Sequence, residues 1–295
     1  MHMKRNNPFN DIYHTMNYDN LHNPMPHMMD IELTNHCNLR CNMCNRQIMT
    51  RPQGYMTDDT FYRVLDEAWE HHIPLRFIRW GEPFLHEKIL EYAKDIKNWG
   101  IPLHITTNGT LLKEKTIHTL LDINLDSLIF SMQGLTKEDY NTTRIGADYD
   151  TFASTIKLFH RLRGTREKPY LMLTTTIDDW QVMDKDKFIN YWKLYVDQVK
   201  IGRTNRSYLQ NTIILNEAHP ACYEPFRQLS VNWNGDVTAC CGDFDGLLVI
   251  GNIHDHTLDE LWNHNPVLDG IRSICGIGKY NYLTLCSKCD YGSLK

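Results

Sequence analysis

Apolar and polar residues alternate along 29–34 (MDIELT), the pattern of a strand with one buried face. A polar, cysteine-bearing stretch follows, and then the period changes. Phe61, Val64, Leu65, Ala68 and Trp69 recur at helical spacing. Thr57 suits the N-cap of that helix, and Asp58 and Asp59 in its first turn oppose the dipole. Residues 75–79 (LRFIR) predict a second strand, and Ile89, Leu90, Ala93 and Ile96 place a helix over 87–98. Further strands are expected at 102–107, 126–132, 170–177 and 196–201, with helical segments at 112–121, 150–162 and 185–195. Strand–helix alternation repeated in this way predicts an α/β fold of parallel βα units. Crossovers of one hand then curl the six units over 29–202 into a barrel or a partial (β/α)6 barrel. In such folds the chemistry collects at the carboxyl ends of the strands.

From residue 203 the pattern is different. Residues 203–221 read as a linker, and 226–231 and 237–240 flank Asn232-Trp-Asn-Gly235, a hairpin signal. Thr257-x-x-Glu260 before Leu261-Trp262 is a capping box. The expected unit over 203–295, a hairpin plus a helix, is too small to hold itself together without a staple. Residues 1–28, polar and with Pro8, Pro24 and Pro26, read as an extended N-terminal arm.

Composition narrows the classes. Hydrophobic residues make up 42% and charged residues 23% of 295, ordinary for a soluble chain with a sizeable core. Lys+Arg of 31 against Asp+Glu of 36 gives a net charge of −5, which argues against nucleic acid as a partner. No apolar run approaches the ~18 residues of a membrane span, and no apolar segment follows the basic start. A cytoplasmic location without a membrane partner is the expectation.

Nine cysteines change the picture more. Their odd number, in a chain of this size, argues for reduced, metal-directed thiols over a disulfide framework. They form two groups: Cys37, Cys41 and Cys44, then Cys222, Cys240, Cys241, Cys275, Cys286 and Cys289. Three thiolates leave the first site one ligand short. Either zinc is completed by His36 or His14, or a [4Fe–4S] cluster keeps one iron open for an outside ligand. Gly81-Glu82-Pro83, Thr107-Asn108-Gly109 and Ser131-x-Gln133-Gly134 also follow predicted strands directly, so four polar signatures point at one mouth.

Cys37-Asn-Leu-Arg-Cys41-Asn-Met-Cys44 after a first strand resembles the signature of the radical S-adenosylmethionine (radical SAM) enzymes, and Gly81-Glu82-Pro83 resembles the Gly-Glu-Pro motif of that family. The resemblance covers about 29–290. It implies that Cys37, Cys41 and Cys44 ligate a [4Fe–4S] cluster whose open iron takes the amine and carboxylate of SAM. Met43 is the apolar residue beside the last cysteine. Gly81, Glu82 and Pro83 hold the amine, and Ser131 and Gln133 resemble ribose-binding positions, with Asp frequent in the family where Gln133 stands. Arg144 resembles an arginine that pairs with the SAM carboxylate, and Thr107 and Asn108 line the same mouth. The implied chemistry is reductive cleavage of SAM to a 5′-deoxyadenosyl radical, which removes a hydrogen atom from an unactivated carbon.

The second group resembles the C-terminal extension called SPASM in its short, twitch form. This implies one auxiliary [4Fe–4S] cluster held by Cys222, Cys240, Cys286 and Cys289, closed and suited to electron transfer. Cys241 and Cys275 are left over, as small buried hydrophobes, hydrogen-atom donors or a swapped ligand. The histidines His71, His72, His254 and His256 receive no role. A single closed auxiliary cluster is similar to that of the radical SAM dehydrogenase of aminocyclitol biosynthesis. That implies oxidation of an alcohol carbon in a sugar- or cyclitol-like molecule, with an electron donor such as flavodoxin or ferredoxin. Arg203, Arg206 and Tyr208, just before Cys222, are candidates for the base. The alternatives are a radical epimerase using Cys241 or Cys275, a ribosomal-peptide maturase with a peptide substrate, and a zinc-stapled binding module without catalysis. The short arm argues against a peptide-binding domain.

Overall fold

The computed structural model describes residues 5–7, 9, 23–179, 184–211 and 221–289. Most of the expected arm, residues 212–220 of the expected linker, and His14 lie outside the described residues.

Six strands pair in parallel in chain order: β1 (Met28–Ile31), β2 (Leu75–Phe77), β3 (Leu103–Thr107), β4 (Ser127–Ser131), β5 (Tyr170–Ile177) and β6 (Gln198–Arg203). The crossovers carry helices α1 (Asp58–Glu70), α2 (Ile89–Asn98), α3 (Glu114–Asp122), α4 (Lys137–Thr143), α5 (Tyr149–Arg163) and α6 (Lys185–Trp192). Thr57 caps α1, its Oγ1 accepting from Thr60 N at 3.3 Å, and Asp148 caps α5 by accepting from Thr151 N at 2.8 Å. Phe61, Val64, Leu65 and Ala68 of α1 are fully buried, and the Phe61 ring stacks on Tyr92 of α2. Burying each large apolar side chain contributes about 1.5–3 kcal/mol. Trp69 departs from the expected face. It follows Ala68 by one residue, a turn of about 100° around the helix, and it is 54% exposed, edge-on against Trp99. Helix α4 was not expected from the sequence. It opens on a capping box of Thr136 and Asp139.

The C-terminal hairpin is part of the same sheet. Strands β7 (Gln228–Val231), β8 (Asp236–Thr238) and β9 (Val249–Asn252) give the order β9-β8-β7-β1-β2-β3-β4-β5-β6. β7 pairs in parallel with β1, Leu229 opposite Met29, while β8 runs antiparallel to both its neighbours. The two units expected from the sequence therefore share one backbone ladder. The reason lies in β1, all four of whose residues are buried, so that its edge away from β2 needs a partner. A buried polar bridge fixes the join: Arg76 donates from Nε to Asp30 Oδ1 at 2.6 Å and from Nη2 to Gln228 Oε1 at 3.0 Å. The sheet stays open, with β6 and β9 at its two ends, as a partial barrel requires.

Helix α7 (Leu258–Asn263) forms behind the expected capping box of Thr257 and Glu260. Helix α8 (Pro266–Gly276) follows at once, capped by Asn265 with Pro266 in its first turn. Among the described residues no helix is long and apolar enough to cross a membrane.

Candidate metal and cofactor site

The loop after β1 is shaped before the first cysteine is reached. Thr34 and Asn35 are buried. Thr34 Oγ1 donates to Gly54 O at 2.7 Å and accepts from His36 N at 3.0 Å, and Asn35 donates to Pro52 O at 2.9 Å. Cys37, Cys41 and Cys44 then face a cavity of about 300 Å³ at the carboxyl ends of the parallel strands. Met43, Gly81, Glu82, Thr107, Asn108, Ser131, Gln133 and Arg144 line the same cavity. The structure thus gathers at one mouth residues from all four post-strand signatures, with Pro83, Gly109 and Gly134 outside the lining. Pro83 lies buried at the start of a short 3-10 turn, where it terminates the Gly81-Glu82 segment.

Gly81 is there because nothing larger fits. A Cβ at this position would stand 2.0 Å from Thr34 O and 2.7 Å from His36 O, both backbone atoms. Glu82 N donates to His36 O at 2.9 Å, which draws the segment against the cysteine loop. The Glu82 side chain is buried and bridges to the next strand. Its Oε1 accepts from Thr107 Oγ1 at 2.7 Å and its Oε2 from Asn108 N at 2.7 Å. Burial pushes its carboxyl up to about 7, against the pull of these hydrogen bonds. The Asn108 side chain donates to Asn38 Oδ1 at 2.9 Å and approaches Cys37 Sγ at 3.9 Å.

Arg144 reaches the mouth through a device that the sequence does not announce. Arg40–Cys41 pairs with Arg144–Ile145 in a two-residue antiparallel ladder, with Cys41 opposite Arg144. The guanidinium is buried, and its Nη2 donates to Ser131 Oγ at 2.6 Å and to Met132 O at 3.2 Å. Its buried Nε has no hydrogen-bond partner among the described residues. A buried, unpaired donor on a cation beside a cavity is suited to an anionic ligand. Gln133, Thr176 and Thr204 close a three-membered ring of side-chain hydrogen bonds at the cavity wall. Thr176 and Thr204 are additions to the expected residues. The signal for Thr176 is the run of three threonines, 174–176, at the carboxyl end of β5.

The donor set fits an iron–sulfur cluster with an open corner. Cys37, Cys41 and Cys44 are the only thiols lining this cavity, and the His36 ring stacks on Tyr55, 4.8 Å between centroids. Among the described residues no three His, Cys, Asp or Glu side chains converge as a single metal ion requires. A four-iron cube holds its sulfur ligands at separate corners. Burial raises the thiol pKa of Cys37 and of Cys41, so cluster binding there releases protons.

The second group gathers beside β7 and β8. Cys222 N donates to Cys275 O at 3.0 Å, and the Cys275 thiol is hydrogen-bonded to those of Cys222 and Cys286. The Cys240 thiol contacts that of Cys241, and its sulfur accepts from Gly242 N at 3.3 Å. Tyr208, deeply buried, hydrogen-bonds Cys289 and lies close to Cys240 and Cys286. Asp245 ties this region to the first site by accepting from the backbone N–H groups of Thr50 and Arg51.

Comparison with known families decides what this arrangement is. The model of the radical SAM superfamily matches residues 31–186. The chain belongs to the radical SAM superfamily. The model of an iron–sulfur cluster-binding domain, SPASM, matches residues 222–290. Together these imply a SAM-binding [4Fe–4S] cluster, SAM itself and an auxiliary iron–sulfur cluster as the cofactors of this radical SAM chain.

Among curated proteins, the chain is 25% identical over 275 residues to the S-adenosyl-L-methionine-dependent 2-deoxy-scyllo-inosamine dehydrogenase of Niallia circulans, covering 91% of this chain and 94% of that one. It is 37% identical over 108 residues to the tungsten-containing aldehyde ferredoxin oxidoreductase cofactor-modifying protein of Pyrococcus furiosus. That second match spans 36% of this chain and only 30% of the relative. Among solved structures, BtrN in complex with AdoMet and 2-DOIA superposes with a TM-score of 0.63 at 19% identity, over 92% of this chain and 95% of that one. Streptococcus suis SuiB bound to S-adenosylmethionine superposes with a TM-score of 0.69 at 16% identity, over 91% of this chain and 73% of that one.

The three candidates for a base do not join the radical SAM cavity. Arg203 is exposed at the end of β6. Arg206 pairs with Asp178, Nη2 to Oδ2 at 3.0 Å. Tyr208 lies with Phe244 and Leu285 at a separate pocket beside the second thiol group. Nearness in sequence to Cys222 suggested them; past Thr204 the chain runs to the second thiol group, where Tyr208 hydrogen-bonds Cys289.

Proposed function

We propose that this radical SAM chain oxidises an alcohol carbon of a sugar- or cyclitol-like small molecule to a ketone. Cys37, Cys41 and Cys44 hold the SAM-binding cluster in this reading, and Cys222, Cys240, Cys286 and Cys289 hold the auxiliary one. The observation that carries it is the match to a cyclitol dehydrogenase over nearly the whole length of both chains. When bound, the cofactors supply a 5′-deoxyadenosyl radical that takes the hydrogen atom and an auxiliary cluster that accepts the remaining electron. The alcohol loses a hydrogen atom, an electron and the hydroxyl proton, and its C–O single bond becomes C=O.

The chain's own residues bind and orient. The Gly81-Glu82 segment, pinned to the cysteine loop through His36 O, receives the SAM amine. Arg144 pairs with the SAM carboxylate through the donor left unpaired at Nε. Ser131 and Gln133 face the ribose. Leu39, Ile78 and Met132 line the cavity with apolar surface and limit water near the reacting carbon. Thr174 and Thr176 add hydroxyl-bearing residues to the same lining, which suits it to a hydroxylated substrate. Neither Cys241 nor Cys275 lines this cavity, which favours oxidation over epimerisation with a cysteine hydrogen donor. A one-electron donor of the flavodoxin or ferredoxin type completes the reading.

The test is anaerobic incubation of the reconstituted enzyme with SAM, reductant and sugars or cyclitols deuterated at the alcohol carbons, with peptides in parallel. Deuterium in 5′-deoxyadenosine, matched by ketone, is the expected result. Deuterium transfer with an inverted alcohol and no ketone, or transfer from peptides alone, would sink the oxidation reading.

A further inference from the structure

Arg79 has a side chain and a backbone that the SAM site does not account for. It stands between Ile78 and Trp80 at the wall of the cysteine cavity, two residues before Gly81. Its backbone has φ of +141°, in the region that favours glycine. Its guanidinium turns toward the second thiol group. Nη1 donates to Cys240 O at 3.1 Å and to Cys241 O at 2.9 Å. Nη2 donates to Asn232 Oδ1 and to Asp243 O, each at 2.9 Å. The neighbouring Trp80 Nε1 adds a bond to Asp243 O at 3.2 Å. Three carbonyls of the turn that carries Cys240, and Asn232 of the preceding hairpin, are held on one fork, and a strained backbone persists where its surroundings over-determine it.

We infer that Arg79 is a positioning residue for the auxiliary cluster: its guanidinium sets where Cys240 stands and raises the reduction potential of the cluster bound there. The inference rests on the proposed ligand role of Cys240 and not on the identity of the substrate. Arginine keeps its charge in proteins, and its planar fork can satisfy several carbonyls at once. A fixed positive charge next to a cluster ligand favours the reduced, more negative state of that cluster. The same residue lines the cavity in which the substrate is proposed to react. It therefore occupies the ground between the place where an electron is released and the place where it is received.

Arg79→Gln removes the charge and keeps an amide donor, and Arg79→Lys keeps the charge but loses the planar fork. Both are reconstituted anaerobically without substrate. Iron and sulfide are counted, and the midpoint potentials of the two clusters are read by electron paramagnetic resonance during a redox titration. The expected result is a full iron load, a lower auxiliary midpoint in Arg79→Gln, and a smaller drop in Arg79→Lys. The shift at the auxiliary cluster exceeds that at the SAM-binding cluster. An auxiliary midpoint in Arg79→Gln equal to or above the wild-type value overturns the inference. If Arg79→Gln does not fold, an unchanged midpoint in Arg79→Lys overturns it. Because no substrate is present, a lowered midpoint stands even if no alcohol proves to be oxidised.

Discussion

The backbone N–H of Asn108 donates to the Glu82 carboxylate at 2.7 Å, so the turn after β3 is built onto a side chain from the turn after β2. Thr107 adds its hydroxyl to the same carboxylate. The Asn108 side chain in turn reaches Asn38 in the cysteine loop. One buried carboxylate thus sets the spacing of three loops, and the mouth is assembled around it. A residue that the family resemblance marks for SAM binding is also the structural pin of the site.

The pin has a pH signature. Burial raises the Glu82 carboxyl to about 7, above the ordinary carboxylate value near 4.3. A raised folded-state value means that the folded chain binds this proton more tightly than the unfolded chain. The contribution is therefore fully present below about pH 4.3 and is lost as pH rises to about 7. The loss is on the order of 3 kcal/mol. Denaturation of the reduced, iron-free chain followed across that window is expected to show falling stability. Glu82→Gln is expected to flatten the slope. Equal slopes in the two proteins would remove Glu82 as its source.

Gly81→Ala tests the close approach at the cysteine loop. The new Cβ meets Thr34 O and His36 O, which are backbone and cannot swing away. The loop carrying Cys37 must shift, at a cost of about 1–3 kcal/mol typical of overpacking. Urea midpoints are expected to fall, and iron bound at the first site is expected to fall with them. Unchanged iron content in a destabilised protein would confine the effect to folding.

The parts of this fold that depend on local pattern were legible. Thr57, with Asp58 and Asp59 behind it, announces α1, and Thr257 with Glu260 announces α7. The three cysteines follow a strand closely enough to place them at its carboxyl end. Contacts between distant segments were not legible. Arg79 looks like the end of a strand until its fork is seen on the carbonyl of Cys240, 161 residues away. Arg144 is drawn to Cys41 by a ladder of two residues, too short to leave a hydrophobic period. The pairing of Arg206 with Asp178, which follows another strand end, was not legible for the same reason. The continuity of β7 with β1 could not be read either, since the edge that β7 covers is defined only once β2 has taken the other side.

Arg144→Lys tests the unpaired donor. A lysine keeps the charge but offers no planar fork, and it has no Nε–H to aim at a carboxylate. Hydrogen bonds to charged groups contribute about 1.5–3 kcal/mol, so SAM affinity is expected to fall by about tenfold or more. Anaerobic equilibrium binding of SAM to the reconstituted variant measures this. Ser131→Ala, which removes an acceptor of Nη2, is expected to cost less. An affinity within error of wild type in Arg144→Lys would end the carboxylate assignment.

Cys275 decides the ligand set of the auxiliary cluster. It lies on α8, 1% exposed, with its thiol hydrogen-bonded to Cys222 and Cys286. Cys222, Cys275 and Cys286 are linked thiol to thiol, and Cys240 and Cys289 both lie beside Tyr208, so five candidates compete for the four positions of a closed cluster. Cys286 and Cys289 share one short turn, and Cys240 is held in place by the loop that Arg79 grips, so the choice falls between Cys222 and Cys275. Cys222→Ala is expected to lose one cluster's worth of iron while the Cys37 site keeps its own. Cys275→Ala is expected to retain both clusters and to lose only about 1 kcal/mol of stability for the small volume removed. Iron counts and Mössbauer spectra of the two reconstituted variants separate the cases. Retention in Cys222→Ala with loss in Cys275→Ala would transfer the fourth ligand to α8 and leave Cys222 as the bystander.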